Sequence, residues 1–377
     1  MTQDVRCDLV LLSWNHLEET TPCLETLFQH TDVPSRLFIV DNGSEPDVRA
    51  FLRGVQPQGM IQEVVLLQHE RNEGFPRGMN RGIRASSAAY VCLLNNDLRF
   101  TPGWLSKLID VAAAHPEIGV LNPASSTFGE HPPQGMSLEA YARSRQSRHG
   151  LYVEVGMCIG FCMLITRVVI DRIGGLSEDV ERIFFEDEDY CMRAQQAGFQ
   201  CVVASEPYVY HAEHKTVTTM PEREALFAKN RRWCEEKWGR RLRVAYPVFH
   251  PVREGSAELR QMLERMIEWA RQRTSVYAYY PRSSRVSEEA LFRSVGLVPH
   301  ADINWRPIPA VCVRWAAIMA ILARRKKPFD LIVSPDEPWA ARMRWLRGLH
   351  GATVVLANEL DRSRAQWRIE SLCPLSS

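Results

Sequence analysis

Tyr90-Val91-Cys92-Leu93-Leu94-Asn95-Asn96-Asp97 is the stretch on which the reading of this chain turns. Five residues suited to a buried strand run directly into two amides and a carboxylate. A strand ending this way delivers oxygen ligands to the carboxyl edge of a sheet, the edge at which open α/β sheets bind ligands. Asp97 has the chemistry to hold a divalent cation, and Asn95 and Asn96 to contact a ribose or phosphate. An Asx turn closing the strand accounts for the same residues, because Asn and Asp are turn formers. The neighbouring segments have to decide.

Residues 8–14 and 37–40 read as further buried strands and 63–67 as a third, with helices expected over 18–30, 46–54, 77–87 and 104–115. Strands alternating with helices predict βαβ units and a parallel sheet; continuously apolar strands predict that both faces are covered. Residues 123–150, rich in Ser, Pro, Gly, Arg and His, read as a long loop of the kind that lines sites. Apolar character returns over 151–166, followed by a helix at 187–197, a strand at 200–204 and a polar helix at 222–238. A boundary near Pro247–Gly255 separates residues 1–247 from a second α/β domain, 248–377. That domain is expected to hold helices 256–273, 310–324 and 338–349 and strands 276–279, 331–333 and 353–356.

The chain has 377 residues, 45% hydrophobic and 24% charged, enough apolar material for a large core. A formal net charge of +1 provides no field for nucleic acid, which is excluded as a partner. Ten cysteines contain no CxxC pair and several lie in apolar runs. They read as small buried hydrophobes of a reducing compartment, not as a disulfide framework or zinc site. The polar start Met1-Thr2-Gln3-Asp4 has no signal-peptide pattern, and no run approaches the roughly 18 apolar residues that span a membrane. A cytoplasmic location is the expectation.

Four strand ends are polar: Ser13-Trp14-Asn15, Asp41-Asn42-Gly43-Ser44, Asn72-Glu73-Gly74-Phe75 and Asn95-Asn96-Asp97. Parallel strands bring them to one edge. Asp41 suits a pyrimidine N–H or a ribose hydroxyl, or it caps a helix with Asn42 and Ser44 as turn residues. Gly74, Gly78 and Gly82, with Arg77 and Asn80 between them, open a helix whose N-terminus favours an anion such as pyrophosphate. Their spacing departs from the Walker and dinucleotide fingerprints. Arg77 reads as a phosphate contact or as a solvated surface charge. Four successive carboxylates, Glu186 to Asp189, follow Phe184-Phe185. Desolvation and mutual repulsion raise the pKa of such a group and prepare a general base; an acidic first helical turn is the alternative. His211, after a short strand, suits a metal ligand or a partner for a leaving phosphate, or is a solvated strand-end His. Its spacing to His214 is not that of a zincin.

In this order the segments resemble the family-2 glycosyltransferases of GT-A fold, and most of all the bacterial rhamnosyltransferase-like group. The resemblance spans roughly residues 6–220. It is carried by Trp14-Asn15, Val40 to Ser44, Asn72 to Phe75, Asn80 to Gly82, Asn95 to Asp97, Pro102 to Leu105, Gly174 to Leu176, Phe185 to Asp189 and His211. It implies a Rossmann-like mixed α/β sheet flanked by helices. It also implies inverting transfer from a nucleotide-diphosphate sugar to a hydroxyl of a glycan, lipid-linked or protein acceptor, in polysaccharide or glycoconjugate synthesis. Asp41 would contact the nucleobase. Asp97 would bind Mg²⁺ or Mn²⁺ across the diphosphate, with His211 as a further ligand. Asp187 would deprotonate the acceptor, positioned by Glu186 and Asp189. Ser13, Asn15, Asn42, Asn72, Gly74, Arg77, Asn80 and Asn96 complete the expected substrate-binding set. Two positions depart from the family pattern: Pro76-Arg77 replaces a small residue before the Gly, and Asn96 stands where other members carry Asp.

The C-terminal residues carry no such motif set; 329–333 and 351–356 are similar in pattern to half of a GT-B glycosyltransferase. The stretch Arg314–Lys327, apolar in the middle with an Arg-Arg-Lys-Lys end, reads as a peripheral membrane contact or as a packed helix with a basic C-terminus. A non-catalytic nucleotide-sugar-binding or scaffold protein is the competing function. A nucleotidyltransferase ranks last, because residues 13–22 hold no basic glycine-rich signature.

Overall fold

Strand β1 (Cys7–Ser13) begins the first of two sheets in the computed structural model, which describes residues 4–212, 222–250, 253–282, 287–324 and 326–361. It is followed by α1 (Leu17–His30), β2 (Ser35–Asp41), α2 (Pro46–Arg53), β3 (Ile61–Gln68), α3 (Phe75–Ala85), β4 (Tyr90–Asn95) and β5 (Leu98–Phe100). Then come α4 (Trp104–Ala114), β6 (Ile118–Ala124), α5 (Leu138–Ser144), β7 (Tyr152–Glu154), β8 (Cys162–Thr166), α6 (Arg167–Ile173), α7 (Glu186–Gln196), β9 (Gln200–His211) and α8 (Arg223–Trp238). The sheet runs β3-β2-β1-β4-β8-β6-β9-β5, with β7 beside β9. Strands β3, β2, β1 and β4 are parallel. Strand β8 is antiparallel to β4 and β6, and β5 is antiparallel to β9. This is the mixed sheet flanked by helices that the resemblance implies.

Alternation explains why the strands are apolar throughout. Leu9 and Leu11 of β1 and Cys92 and Leu94 of β4 pack with Leu24, Leu27 and Leu108 from α1 and α4. Val10 faces the other way, towards α3. A Cβ on Gly82 would stand 2.2 Å from Val10 Cγ1, and one on Gly78 2.4 Å from Leu12 Cδ1. These two glycines let α3 lie close on the sheet. Each fully buried Leu or Val contributes about 1.5–3 kcal/mol.

Three differences from expectation concern length. Asn95 does not end the strand system: the chain turns at Asn96-Asp97 and continues as β5. Residues 123–150 contain α5, capped by the Ser137 hydroxyl accepting from Ala140 N–H. Strand β9 runs twelve residues, not five. The polar Ser205-Glu206-Pro207 hid its continuation, and Lys107 Nζ, 2.9 Å from Glu206, meets the buried charge there.

The second unit contains β10 (Leu242–Pro247), α9 (Ala257–Arg271), β11 (Thr274–Pro281), α10 (Glu288–Ser294), β12 (Ile303–Ile308), α11 (Val313–Leu322), β13 (Leu331–Ser334), α12 (Glu337–Trp345) and β14 (Thr353–Leu356). Its five strands are all parallel, in the order β12-β11-β10-β13-β14. Because β10 pairs with both β11 and β13, the second unit starts at Glu235 rather than near residue 248, and it also takes in Glu154–Gly156. Among the described residues eight cysteines are buried outside any disulfide and Cys312 is exposed; Cys373 and His214 lie outside the described residues. No helix among the described residues is long and apolar enough to cross a membrane.

Candidate functional site

The antiparallel ladder between β5 and β9 sets Leu98 opposite His211, and Ala212 N–H donates to Asp97 O at 3.1 Å. The turn at Asn96-Asp97 is thereby fixed beside the end of β9. His211 Nε2 lies 3.2 Å from Asp97 Oδ1, with Asp97 only 8% exposed. The imidazole is held on three sides. Its Nδ1 is 2.9 Å from Thr127 Oγ1, its ring stacks on Phe161 at 5.1 Å with 12° between planes, and its backbone N–H and C=O both bond to the Ser126 hydroxyl. With Nδ1–H donating to Thr127, the Nε2 lone pair points towards Asp97. An outer partner on the second ring nitrogen is the usual support of a metal-ligating His.

A divalent cation fits this pair. One carboxylate and one imidazole are hard and borderline donors suited to Mg²⁺ or Mn²⁺. Among the described residues no group of three or more His, Cys, Asp or Glu side chains is placed to hold an ion. Asp97 and His211 would therefore supply two ligands, leaving positions for phosphate oxygens and water, as is usual for Mg²⁺.

Helix α7 begins at Glu186, so all four successive carboxylates occupy its first turn. They have separate fates. Asp189 is fully buried and pairs with Arg193 at 2.9 Å, and Arg193 also donates to Ile173 O and Gly175 O. Glu188 is buried. Burial pushes the Asp187 carboxyl from its usual 3.8 up to about 6, against the pull of N–H bonds from Glu188 (2.8 Å) and Gly160 (3.2 Å). Burial first, and the neighbouring Asp187 second, raise Glu186 well above the carboxylate range; its Oε2 is buried with no hydrogen-bond partner among the described residues. Arg182, Phe184 and Phe185, just before the helix, have φ of 58°, 81° and 72°. Such left-handed non-glycine residues cost about 1–3 kcal/mol each and cluster at active sites.

Gly160-Phe161 joins the two halves of this site. The Gly160 N–H bonds to Asp187, the Phe161 ring stacks on His211, and Phe161 O accepts from Asn95 N–H at 2.8 Å. Asn122, fully buried on β6, clamps this segment: its amide donates to Ile159 O and Cys162 O, and its oxygen accepts from Ile159 N–H. Gly160, Phe161, Asn122 and Thr127 were missed in the sequence. Only the Gly156/Gly160 pair in an apolar run hinted at them.

The remaining expected residues gather at the carboxyl edge, where most of them are bonded to protein. Asp41 is fully buried: Ser44 N–H donates to Oδ1 at 2.9 Å, Gln68 Nε2 donates to Oδ2 at 3.1 Å, and Arg49 stands 3.6 Å away. Asn42 donates to Asn72 Oδ1 and Gly74 O and accepts from Glu73 N–H. Asn15 donates its N–H to the Ser44 hydroxyl and accepts from Glu45 N–H. Ser13 Oγ lies 3.5 Å from Thr20 Oγ1, which also accepts from Asn96 Nδ2 at 2.8 Å. Asn80 is occupied by Leu176 N–H, Leu176 O and Glu178. Gly74 has φ 87°, and a Cβ there would be 2.7 Å from Arg182 Cα, so its close approach is to protein backbone. Arg77 is 54% exposed and sits 3.7 Å from both Glu73 and Glu178, the geometry of a surface charge.

Residues 8–174 match the glycosyl transferase family 2 model. A Haemophilus influenzae protein described as an uncharacterized glycosyltransferase is 27% identical over 226 residues, 56% of this chain and 70% of that one. The N-acetylglucosaminyl-diphospho-decaprenol L-rhamnosyltransferase of Mycobacterium tuberculosis H37Rv is 26% identical over 239 residues, 53% of this chain and 73% of that one. An uncharacterized Sinorhizobium fredii protein is 24% identical over 267 residues, and the match spans 28% of its length. Among solved structures, Staphylococcus aureus TarS 1–349 with UDP-GlcNAc has a TM-score of 0.47 at 14% identity, over 71% of this chain and 74% of that one. The likeness to glycosyl transferase family 2 thus falls on residues 8–174, the part of the chain that carries most of the first sheet.

Proposed function

We propose that this protein is an inverting, metal-dependent glycosyltransferase that moves a sugar from a nucleotide-diphosphate donor to an acceptor hydroxyl. The observation carrying this reading is the Gly160-Phe161 bridge, which ties a carboxyl of raised pKa, Asp187, to the Asp97–His211 pair. Asp187 accepts the proton of the attacking hydroxyl, and a pKa near neutrality suits a general base. Attack opposite to the departing diphosphate inverts the anomeric carbon. A divalent ion held by Asp97 and His211 would neutralise charge on that diphosphate. Thr127 and Phe161 fix the imidazole so that no reorientation is needed. The Asp187 charge adds to burial in raising Glu186, and Glu188 adds a smaller upward push on the base itself. The named Mycobacterium relative acts on a lipid-linked diphosphate, which makes lipid-linked sugars the first acceptors to try.

Incubation with a panel of nucleotide sugars and Mn²⁺ should release nucleoside diphosphate, and Asp97→Ala and Asp187→Ala should each remove it. Donor binding by calorimetry without turnover on any acceptor would leave a nucleotide-sugar-binding protein instead. Release unchanged in both variants would sink the mechanism.

A further inference from the structure

Nine large apolar side chains are exposed among the described residues, and five of them lie between 311 and 349 in the second unit. Val311, Trp315, Met319, Trp345 and Leu349 are 61–85% exposed, whereas the other four are scattered at Met136, Leu151, Val168 and Phe227. Trp315 and Met319 are four apart on α11 and so share a face. The opposite face is already used: Ala317, Ile318 and Ile321 pack with Trp339 and Met343 of α12 in one buried cluster. The helical turn Arg347–His350, which follows α12 and carries Leu349, packs against α11. The outer row of α11 therefore lies outside the core, on the helix against which the turn carrying Leu349 packs.

Charge gives this surface a direction. Residues 311–358 hold eight Arg and Lys against three Asp and Glu, net +5, where the whole chain carries +1. No acidic residue occurs over 311–329 or 338–358. All three acids are occupied: Asp336 pairs with Arg314, Glu337 with Arg344 and Asp330 with Arg240. Lys326 and Lys327 are exposed beyond the end of α11. Tryptophan beside an apolar row, ringed by cations, is the chemistry of a membrane interface: indoles sit at headgroup depth, apolar side chains enter the acyl boundary, and Lys and Arg meet lipid phosphates. An interface between protein partners depletes Lys, whereas this surface presents Lys326 and Lys327.

We propose that the outer face of α11, with Trp345 and Leu349, docks on a membrane surface containing anionic lipid. The inference is independent of the sugar chemistry above, and its test needs no donor. The full chain should co-sediment with phosphatidylcholine vesicles containing phosphatidylglycerol, release with salt, and bind phosphatidylcholine alone far less. Trp315→Ser combined with Trp345→Ser should weaken this binding roughly tenfold or more. Lys326→Glu combined with Lys327→Glu should remove its salt-sensitive part. Both variants should keep the parent melting temperature, because the side chains are exposed; Met319→Gln provides a milder third. Failure of the full chain to bind anionic vesicles overturns the proposal, as does equal binding by the Trp variant. If vesicles are ignored and the Trp variant instead splits an oligomer in sedimentation velocity, the face belongs to a second copy of the chain, and the membrane assignment falls.

Discussion

Asp41 ends, and Asp97 follows, one of the two strands that flank β1, yet they occupy opposite situations. Asp41 receives Ser44 N–H and the Gln68 amide and lies near Arg49, inside a network that continues through Asn42 to Asn72 and Gly74. Asp97 faces an imidazole, and the same Phe161 that orients this imidazole follows the glycine that holds Asp187. The first region ties loops together and its worth appears as stability. The second concentrates carboxyls and an imidazole, some with shifted pKa values, beside strained backbone, and its worth appears as chemistry. Both are polar strand ends, so residue type alone does not separate them; their bonding partners do.

The contrast is broken most directly at Asp187. Asp187→Asn should lower kcat by about 10²–10⁴-fold while leaving the melting temperature nearly unchanged, as followed by diphosphate release and thermal denaturation. A large loss of stability with kcat intact would reassign Asp187 to the loop-tying class. The parent enzyme should show an acid limb near pH 6, with activity rising as Asp187 ionises. The sign for stability is opposite. The folded pKa lies above the unfolded one, so this carboxyl favours folding in acid, and its contribution is lost as pH rises through about 6. The site is favoured by the fold in the protonation state that does not work.

Next in size is the metal. Chelation should stop diphosphate release, and Mn²⁺ or Mg²⁺ should restore it. Thr127→Val removes the Nδ1 partner of His211 without touching a ligand. It should raise the metal concentration required by roughly 10–100-fold, with little change in melting temperature. An unchanged requirement would mean that Phe161 stacking alone orients the ring.

Smaller in activity but visible in stability is Asn42→Ala. It strands Gly74 O and Glu73 N–H and removes one of two donors to Asn72 Oδ1, which keeps the Gly74 N–H. An unsatisfied buried partner costs about 1–3 kcal/mol, so the midpoint should fall by several degrees while kcat of the folded fraction is retained. A loss of kcat without destabilisation would move Asn42 into the site.

How much the sequence disclosed follows from the range of each interaction. The strand ends were readable because a strand and the turn after it are local; Asp97 and His211 stood out at such ends, and Asp187 in a run of four carboxylates at a helix start. Their bridge was not readable. Gly160-Phe161 reaches Asn95 through the antiparallel pairing of β4 with β8, and Asn122 reaches Ile159 and Cys162 across 37 and 40 residues. The same limit made Asn80 resemble a ligand contact: its partner Leu176 lies 96 residues away. Saturation by protein is a long-range fact, so a local reading counts saturated and available amides alike. In the second unit β12 went unseen because, at the sheet edge, its Asn304 is only partly buried and its Arg306 is exposed.

Arg77 gives the comparison its finest test. Its side chain is 54% exposed and lies 3.7 Å from Glu73 and from Glu178. Exposed pairs of that kind are worth about 0–1 kcal/mol, so Arg77→Ala should shift the melting temperature by a degree or two at most. As a surface charge it should leave both kcat and the KM for the donor within about twofold. As a phosphate contact it should raise KM for the nucleotide sugar several-fold, more at low salt, with kcat little changed, because one mobile cation near a diphosphate adds binding felt equally in ground and transition states. The position is informative because the pattern departs here, with Pro76-Arg77 ahead of Gly78. A rise in donor KM would extend the working region to α3 and away from the saturated edge. No rise would confine the chemistry to the residues gathered around Gly160-Phe161.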